Sequence, residues 1–453
     1  MTAHSQSFLL KSVTDMKETI IQFGEGNFLR GFFDYFLDEM NKKGLYDGKA
    51  VVIQPRAGGK CALLQAQDCK YNLYLRGIEN GEVVSKHTLV ESISRCLDPY
   101  KDFEGFTALA ENPDFRFVVS NTTEAGIAFD EGCALSDTPC LSFPGKVTQL
   151  LYARFRKGLP GFVFLPCELI DNNGDALKAC VIKYAHHWGL EEEFIQWVNT
   201  ENTFLNTLVD KIVTGYPDDE TAGLHPEDKF LDAAEVFHLW VLDGDFENEL
   251  PLKKAGFNVI WTDDVKPYKK TKVRILNGAH TSLVAGCLLS GIESVGEAMK
   301  DETASAFLKM CMEKEILPTI GETKENLDFA KAVSDRFSNP FIFHKWRSIA
   351  LNSISKFSVR VLPTLTEYKE KYGFAPKGLT LSLAMLLYFY KNDNPEDNEE
   401  FISCIKESTI EEILKNTALW QADISDLTEE VTTYYNKISD IGAKEAMKWS
   451  LSE

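Results

Sequence analysis

Short apolar runs alternate with amphipathic stretches along the first 265 residues. Residues 19–23 (TIIQF) form one such run, closed by Gly24, Glu25 and Gly26, and the aromatic-rich stretch from Phe28 to Met40 repeats its apolar positions at helical spacing. That pattern predicts strand, glycine turn and helix. Three further apolar runs, 50–53, 115–119 and 161–165, stop at Gln54-Pro55-Arg56, at the polar turn 120–124 and at Pro166-Cys167-Glu168. Strands of this kind with helical patterns between them predict a parallel sheet covered on both faces, with ligands at the carboxyl ends of the strands. Beyond about residue 265 the stretches 272–299, 301–316, 342–356, 378–391, 398–415 and 424–449 all have helical spacing.

The expected fold class is therefore α/β: an N-terminal Rossmann-type doubly wound parallel sheet over residues 1–265, then a mostly α-helical C-terminal domain over 266–453. A length of 453 residues suits two domains, and 44% hydrophobic with 26% charged residues is the composition of a folded chain. The net charge of −20 repels phosphate backbones and argues against nucleic acid as a partner. The densest basic cluster, Lys266, Lys269, Lys270, Lys272 and Arg274, is too short for a nucleic-acid groove but large enough for one small anion.

No apolar run approaches the ~20 residues a membrane helix requires, and the first twenty residues lack the blocks of a signal peptide, so a cytoplasmic location without membrane contact is expected. The ten cysteines, among them Cys61, Cys69, Cys133, Cys140, Cys167 and Cys180, contain no CxxC pair and no Cys/His cluster with zinc spacing. They are expected to be reduced thiols, and no metal site is expected. His186 and His187 are adjacent and diverge on any regular element.

Gly24 and Gly26 suit a turn that lets backbone amides approach a pyrophosphate at a helix start. Leu29 occupies the third position of a GxGxxG fingerprint, which predicts looser packing of the helix on the strand. With Asn27 and Phe28 in the turn and Thr123 and Glu124 at another strand end, these residues form the candidate cofactor site. The second strand ends at Gln54 rather than Asp or Glu; Gln54 suits ribose hydroxyls and Arg56 a 2'-phosphate, which leaves NAD against NADP open. Arg30 fits either a pyrophosphate contact or a surface ion pair.

The segment KVRILNGAHTSL carries Lys272, Asn277 and His280 on an otherwise apolar helix. On an α-helix, offsets of five and eight fall about 140° and 80° from the first residue, one broad face spanning about 12 Å. Burial of a lysine on such a helix is expected to lower its pKa, as a general acid/base working near neutrality requires. The alternative is a locally bonded Asn277, a packed His280 and a Lys272 that reaches solvent.

The motif K272-x5-N277-x2-H280 resembles that of the polyol-specific long-chain dehydrogenases, the mannitol dehydrogenase family. Gly24, Gly26, Phe28 and Arg30 are similar to its GxGxFxR turn. SNTTEAGI (120–127), LSFPGKVTQLL (141–151), FLPCELIDNNG (164–174), LVDKI (208–212), EVFHLWVLDG (235–244) and RFSNP (336–340) follow in family order. The resemblance implies metal-independent hydride transfer between NAD and a secondary alcohol, with Lys272 as acid/base and Asn277 and His280 on the reacting oxygen. It also implies substrate contacts from Asp210, His238, Lys356 and Arg360, each of which fits a packing or surface role equally well. Leu169 stands where mannitol-type members have an asparagine, which implies a ketouronate and aldonate pair before mannitol and fructose. Fructuronate or polyol substrates, or a nucleotide-binding module without catalysis, are the alternatives.

Overall fold

The structure, a computed structural model, describes residues 16–452; residues 1–15, most of the stretch inspected for a signal peptide, lie outside it. The chain divides into two compact units. One runs to Val265 without Gly77–Val84, and the other joins Gly77–Val84 to the chain from Lys266.

The described strands before Val265 are β1 (Glu18–Phe23), β2 (Lys49–Ile53), β3 (Tyr71–Glu79), β4 (Glu82–Val90), β5 (Ile93–Leu97), β6 (Phe117–Ser120), β7 (Val163–Pro166), β8 (Thr203–Phe204), β9 (Thr207–Asp210), β10 (Val213–Gly215), β11 (Asp232–Glu235), β12 (Leu239–Asp243) and β13 (Val259–Thr262), with the end of β3 and the start of β4 in the second unit. Six form a wholly parallel sheet in the order β5-β2-β1-β6-β7-β8. The order reverses between β1 and β6, where an open α/β sheet leaves a crevice at its carboxyl edge. Phe23 pairs with both Ile53 and Ser120, so β1, β2 and β6 end at one level and deliver their turns to that crevice.

Successive residues of β1 serve opposite faces of the sheet. Ile20 packs with Leu29, Phe32, Phe33 and Phe36 of the following helix and with Trp240 of β12. Ile21 and Phe23 pack with Val147, Leu150 and Leu151 of helix Phe143–Arg156 and with Leu177 and Val181 of helix Asn173–His187. Both faces are thus buried, which is why β1, β2 and β6 read as nearly continuous apolar runs. Two smaller sheets, β10-β11-β3-β4 and β13-β12-β9, accompany the parallel sheet and go beyond what the apolar runs predict.

The second unit is helical from Lys266 onward. Its first helix spans 266–289 and contains a π-turn, Val273–Asn277, in which the Gly278 N–H reaches back to the Val273 carbonyl. It stops at Ser290 and Gly291 (φ 71°), so the predicted helix 272–299 is two, the second being Val295–Lys300. Helix Lys377–Asn392 is apolar nearly all round and forms the centre of this core. Its own N-cap, Pro376, makes no side-chain cap; the Glu315 carboxylate accepts from the Gly378 and Leu379 N–H groups instead. The stretch 342–356 is not one helix. Trp346–Ile349 ends before Asn352 (φ 54°), and Ser353–Arg360 begins after it.

Candidate active site

The glycine turn is set by Gly24, whose φ is 118° and where a methyl group would lie 2.8 Å from the Asn121 carbonyl oxygen. Only glycine satisfies both constraints. Gly26 precedes the helix at 27–42, and a methyl group there would meet nothing within 4 Å. A second helix, Phe143–Arg156, starts nearby, with Ser142 Oγ accepting from the Gly145 N–H at 3.0 Å. Gly24, Gly26, Asn27, Asn121, Thr122 and Ser142 line one cleft of about 650 Å³. Two helix starts and a bare glycine turn on one cleft are features that can hold an anion.

Leu29 is buried in the sheet core, and a close approach to another sheet is made two residues later, at Gly31. A methyl group at Gly31 would lie 2.9 Å from Val213 Cγ1 and 3.3 Å from Ala234 Cβ. The helix therefore packs tightly on the second sheet at Gly31, on a face other than the one Leu29 turns to β1.

Arg30 is buried rather than on the surface. Its guanidinium donates to the Glu25 carbonyl and to Asn27 Oδ1, both at 2.8 Å, faces Asp232 at 3.6 Å and lies over the Phe230 ring. These contacts fix the turn from behind. Beneath it Gln22 Nε2 donates to Asp34, whose carboxyl is pushed up to about 7 by burial despite that bond and the Arg30 charge. Asp232 is likewise raised to about 7 by burial.

Gln54 is buried, and its amide oxygen accepts from the Cys61 N–H. An acid of the glycine turn reaches the segment after β2: Glu25 Oε1 accepts from the Lys60 N–H at 3.1 Å. A methyl group at Gly59 would be 2.4 Å from that oxygen and 2.5 Å from Gln54 Cγ. Arg56 and Lys60 are exposed on the rim of the same cleft, which Thr123 (φ 79°) also lines. Glu124 is exposed beside Thr123, and Phe28 stacks on Phe32. Glu168 is buried and accepts from Ser120 Oγ, Thr122 N and Thr122 Oγ1, so it holds the β6 turn in place. Its carboxyl is raised, chiefly by burial.

In the helical unit Lys272, Asn277 and His280 are all partly buried on one helix. The π-turn between Lys272 and Asn277 alters the α-helical estimate, because an i→i+5 turn stacks residues five apart more nearly over one another. Gly278 allows the approach of helix Ser353–Arg360, since a methyl group there would lie 3.2 Å from the Arg360 carbonyl oxygen. The His280 ring lies flat on Phe337, with centroids 4.1 Å apart and planes 13° apart, and meets His344 edge-on at 5.4 Å. Burial, His344, Arg336 and Arg360 together hold the His280 pKa well below the usual histidine value, so its imidazole is neutral. Lys356 donates to the Ile349 carbonyl, and its own pKa is lowered by burial and by Arg360. Of the basic cluster at 266–274, Arg274 and Lys270 pair with Glu367, so that part of its charge is balanced.

Asp210 ends β9 as a buried strand residue paired in register with Leu239, not on a helix surface. His238 lies against Phe36 and Phe257. Its Nε2 accepts from the Asn258 N–H, Nδ1 faces the Val236 carbonyl, and burial pushes its pKa down to about 3. Both nitrogens are thus engaged, in keeping with the packing role that the sequence allows for His238 beside a substrate contact. Leu169 is 61% exposed.

Residues 18–254 match the model of the mannitol dehydrogenase Rossmann domain, and residues 264–439 that of the mannitol dehydrogenase C-terminal domain. Altronate oxidoreductase of Bacillus subtilis (strain 168) is 42% identical over 460 residues, covering 96% of this chain and 95% of the relative. That of Escherichia coli O6:K15:H31 is 46% identical over 388 residues, covering 83% and 80%. Among solved structures, a D-sorbitol dehydrogenase superposes with a TM-score of 0.84 at 24% identity, over 96% of both chains. The ternary complex of Pseudomonas fluorescens mannitol 2-dehydrogenase with NAD and D-mannitol superposes with 0.70 at 22%, over 98% of this chain and 96% of that one. The chain belongs to the mannitol dehydrogenase family of oxidoreductases.

Proposed function

We propose that the protein interconverts D-tagaturonate and D-altronate by hydride transfer with NAD, using Lys272 as acid/base. The observation that carries the substrate assignment is the positive surround of His280, to which Arg336 and Arg360 contribute directly and Lys356 through His344. A ketouronate brings a carboxylate to such a field and gains a charge-assisted hydrogen bond, whereas a neutral ketohexose does not. The altronate oxidoreductases at 42% and 46% identity support the same reading.

In the first unit the turn at Gly24 and Gly26 and the two helix starts would hold the pyrophosphate, and Thr122 and Thr123 the adjoining part of the dinucleotide. The Glu25 carboxylate at the end of β2 accepts ribose hydroxyls and repels a 2'-phosphate, which favours NAD. The nicotinamide supplies the hydride in reduction and accepts it in oxidation. In the second unit Lys272 gives a proton to the carbonyl oxygen as the ketone is reduced and takes it back in the reverse direction. Asn277 and neutral His280 donate hydrogen bonds to that oxygen, and His280 cannot compete for the proton. The stack on Phe337 fixes the direction of its N–H.

Initial rates with NADH on D-tagaturonate, D-fructuronate and D-fructose test the assignment. Tagaturonate is the expected best substrate, and Arg360→Ala should raise its KM far more than that for fructose. Turnover of fructose without tagaturonate would overturn the proposal.

A further inference from the structure

The loop between β6 and helix Phe143–Arg156 carries a side-chain cluster that the reaction does not use. Cys133, Asp137 and Cys140 place their ligand atoms within 4.8 Å of one another, with both cysteines buried and Asp137 partly so. Asp130 adds a fourth, its Oδ2 lying 3.6 Å from Cys133 Sγ. We propose that Asp130, Cys133, Asp137 and Cys140 bind one thiophilic divalent cation, Zn(II), as a structural centre.

The spacing Asp130-x2-Cys133-x3-Asp137-x2-Cys140 keeps successive ligands two or three residues apart, within the range of structural zinc loops. A tetrahedral ion with Zn–S near 2.3 Å and Zn–O near 2.0 Å separates its sulfur and oxygen ligands by about 3.5 Å and its sulfurs by about 3.8 Å. The Cys133 to Asp130 separation already meets this, and the ligand atoms of Cys133, Asp137 and Cys140, within 4.8 Å of one another, need to close by about 1.3 Å at most.

The loop backbone is fixed independently of any ion. Asp130 N donates to Tyr184 Oη, Trp188 Nε1 to the Cys133 carbonyl, and His187 Nε2 to the Glu131 carbonyl. Gln149 accepts from Cys140 N and donates to the Leu135 and Asp137 carbonyls. Pre-ordering of this kind lowers the entropy lost when an ion binds. Binding replaces two S–H bonds by two Zn–S bonds and releases two protons to solvent, so uptake strengthens with pH. Two thiolates and two carboxylates leave a Zn(II) centre with excess negative charge, and the buried Lys146 ammonium, on which both thiols act, offsets part of it. Asp130, Leu141 and Ser142 also line the nucleotide cleft, so the centre would brace the cleft from outside the chemistry.

The test uses the full-length protein, reduced and stripped with a chelator, titrated with Zn(II) and separately with Co(II). One ion per chain is expected, with sulfur-to-cobalt charge-transfer absorption and tetrahedral ligand-field bands. Cys133→Ser and Cys140→Ser should each weaken Zn(II) binding by more than the roughly 100-fold cost of losing a hydrogen-bond partner of a ligand. Asp137→Asn, a change of equal size at a partly exposed position, should weaken it with the fold intact. In the unaltered protein Zn(II) should protect Cys133 and Cys140 from alkylation. Co(II) without thiolate absorption, alkylation unaffected by Zn(II), or equal affinity in Asp137→Asn would each overturn the proposal.

Discussion

Gly31 gives the helix after the glycine turn its close approach to the second sheet, and Gly31→Ala measures it. The added methyl group would lie 2.9 and 3.1 Å from the two γ-carbons of Val213 and 3.3 Å from Ala234 Cβ, well inside ordinary contact. Overpacking of this kind costs about 1–3 kcal/mol. Alanine in a helix regains up to about 1 kcal/mol over glycine, so the net loss is about 1–2 kcal/mol. In a unit of this size that is a fall in Tm of roughly 2–8 °C. Val213→Ala removes both γ-carbons, so the double variant should relieve the clash. Thermal unfolding of the two single variants and the double would give a coupling energy of about 1–2 kcal/mol favouring the pair. Additive losses would show that the helix and the second sheet do not meet at Gly31, and the account of the turn would fail.

Two further predictions concern the surroundings of the turn. Glu25→Gln keeps the acceptor for the Lys60 N–H and removes the charge, so the NAD preference over NADP should fall by about tenfold, ~1.4 kcal/mol; an unchanged ratio of kcat/KM for the two cofactors would place discrimination elsewhere. Burial pushes the Asp34 carboxyl up to about 7 from the ordinary aspartate value of about 3.9, so its stabilising contribution is present below about pH 4 and lost as pH rises through 7. Asp34→Asn should therefore gain Tm relative to the unaltered protein on going from pH 5.5 to 8.5, and a loss in that direction would contradict the sign.

The parallel sheet was legible because strands buried on both faces show as unbroken apolar runs, and the turns that end them are where the cleft lies. The smaller sheets were not, because β9 to β13 have three to five residues each and β4 is largely exposed, which leaves little pattern to read. Glu25 and Gly31 were hidden for another reason. Neither sits at a fingerprint position, and only the fold brings Glu25 beside Gln54 and Lys60 after β2. The trio on the 266–289 helix was legible as a set, but not its geometry, since no side-chain pattern announces a π-turn. The cluster at Cys133 and Cys140 escaped because aspartates supply the short spacings that a search for paired cysteines expects from sulfur.

The central claim is that Lys272 carries the proton. Steady-state turnover and NADH binding of Lys272→Ala, measured on one preparation, test it most directly. Loss of a positioned acid/base costs about 10²- to 10⁴-fold. The account predicts a fall in kcat of that order with the Kd for NADH nearly unchanged, and undiminished turnover in the variant would contradict it.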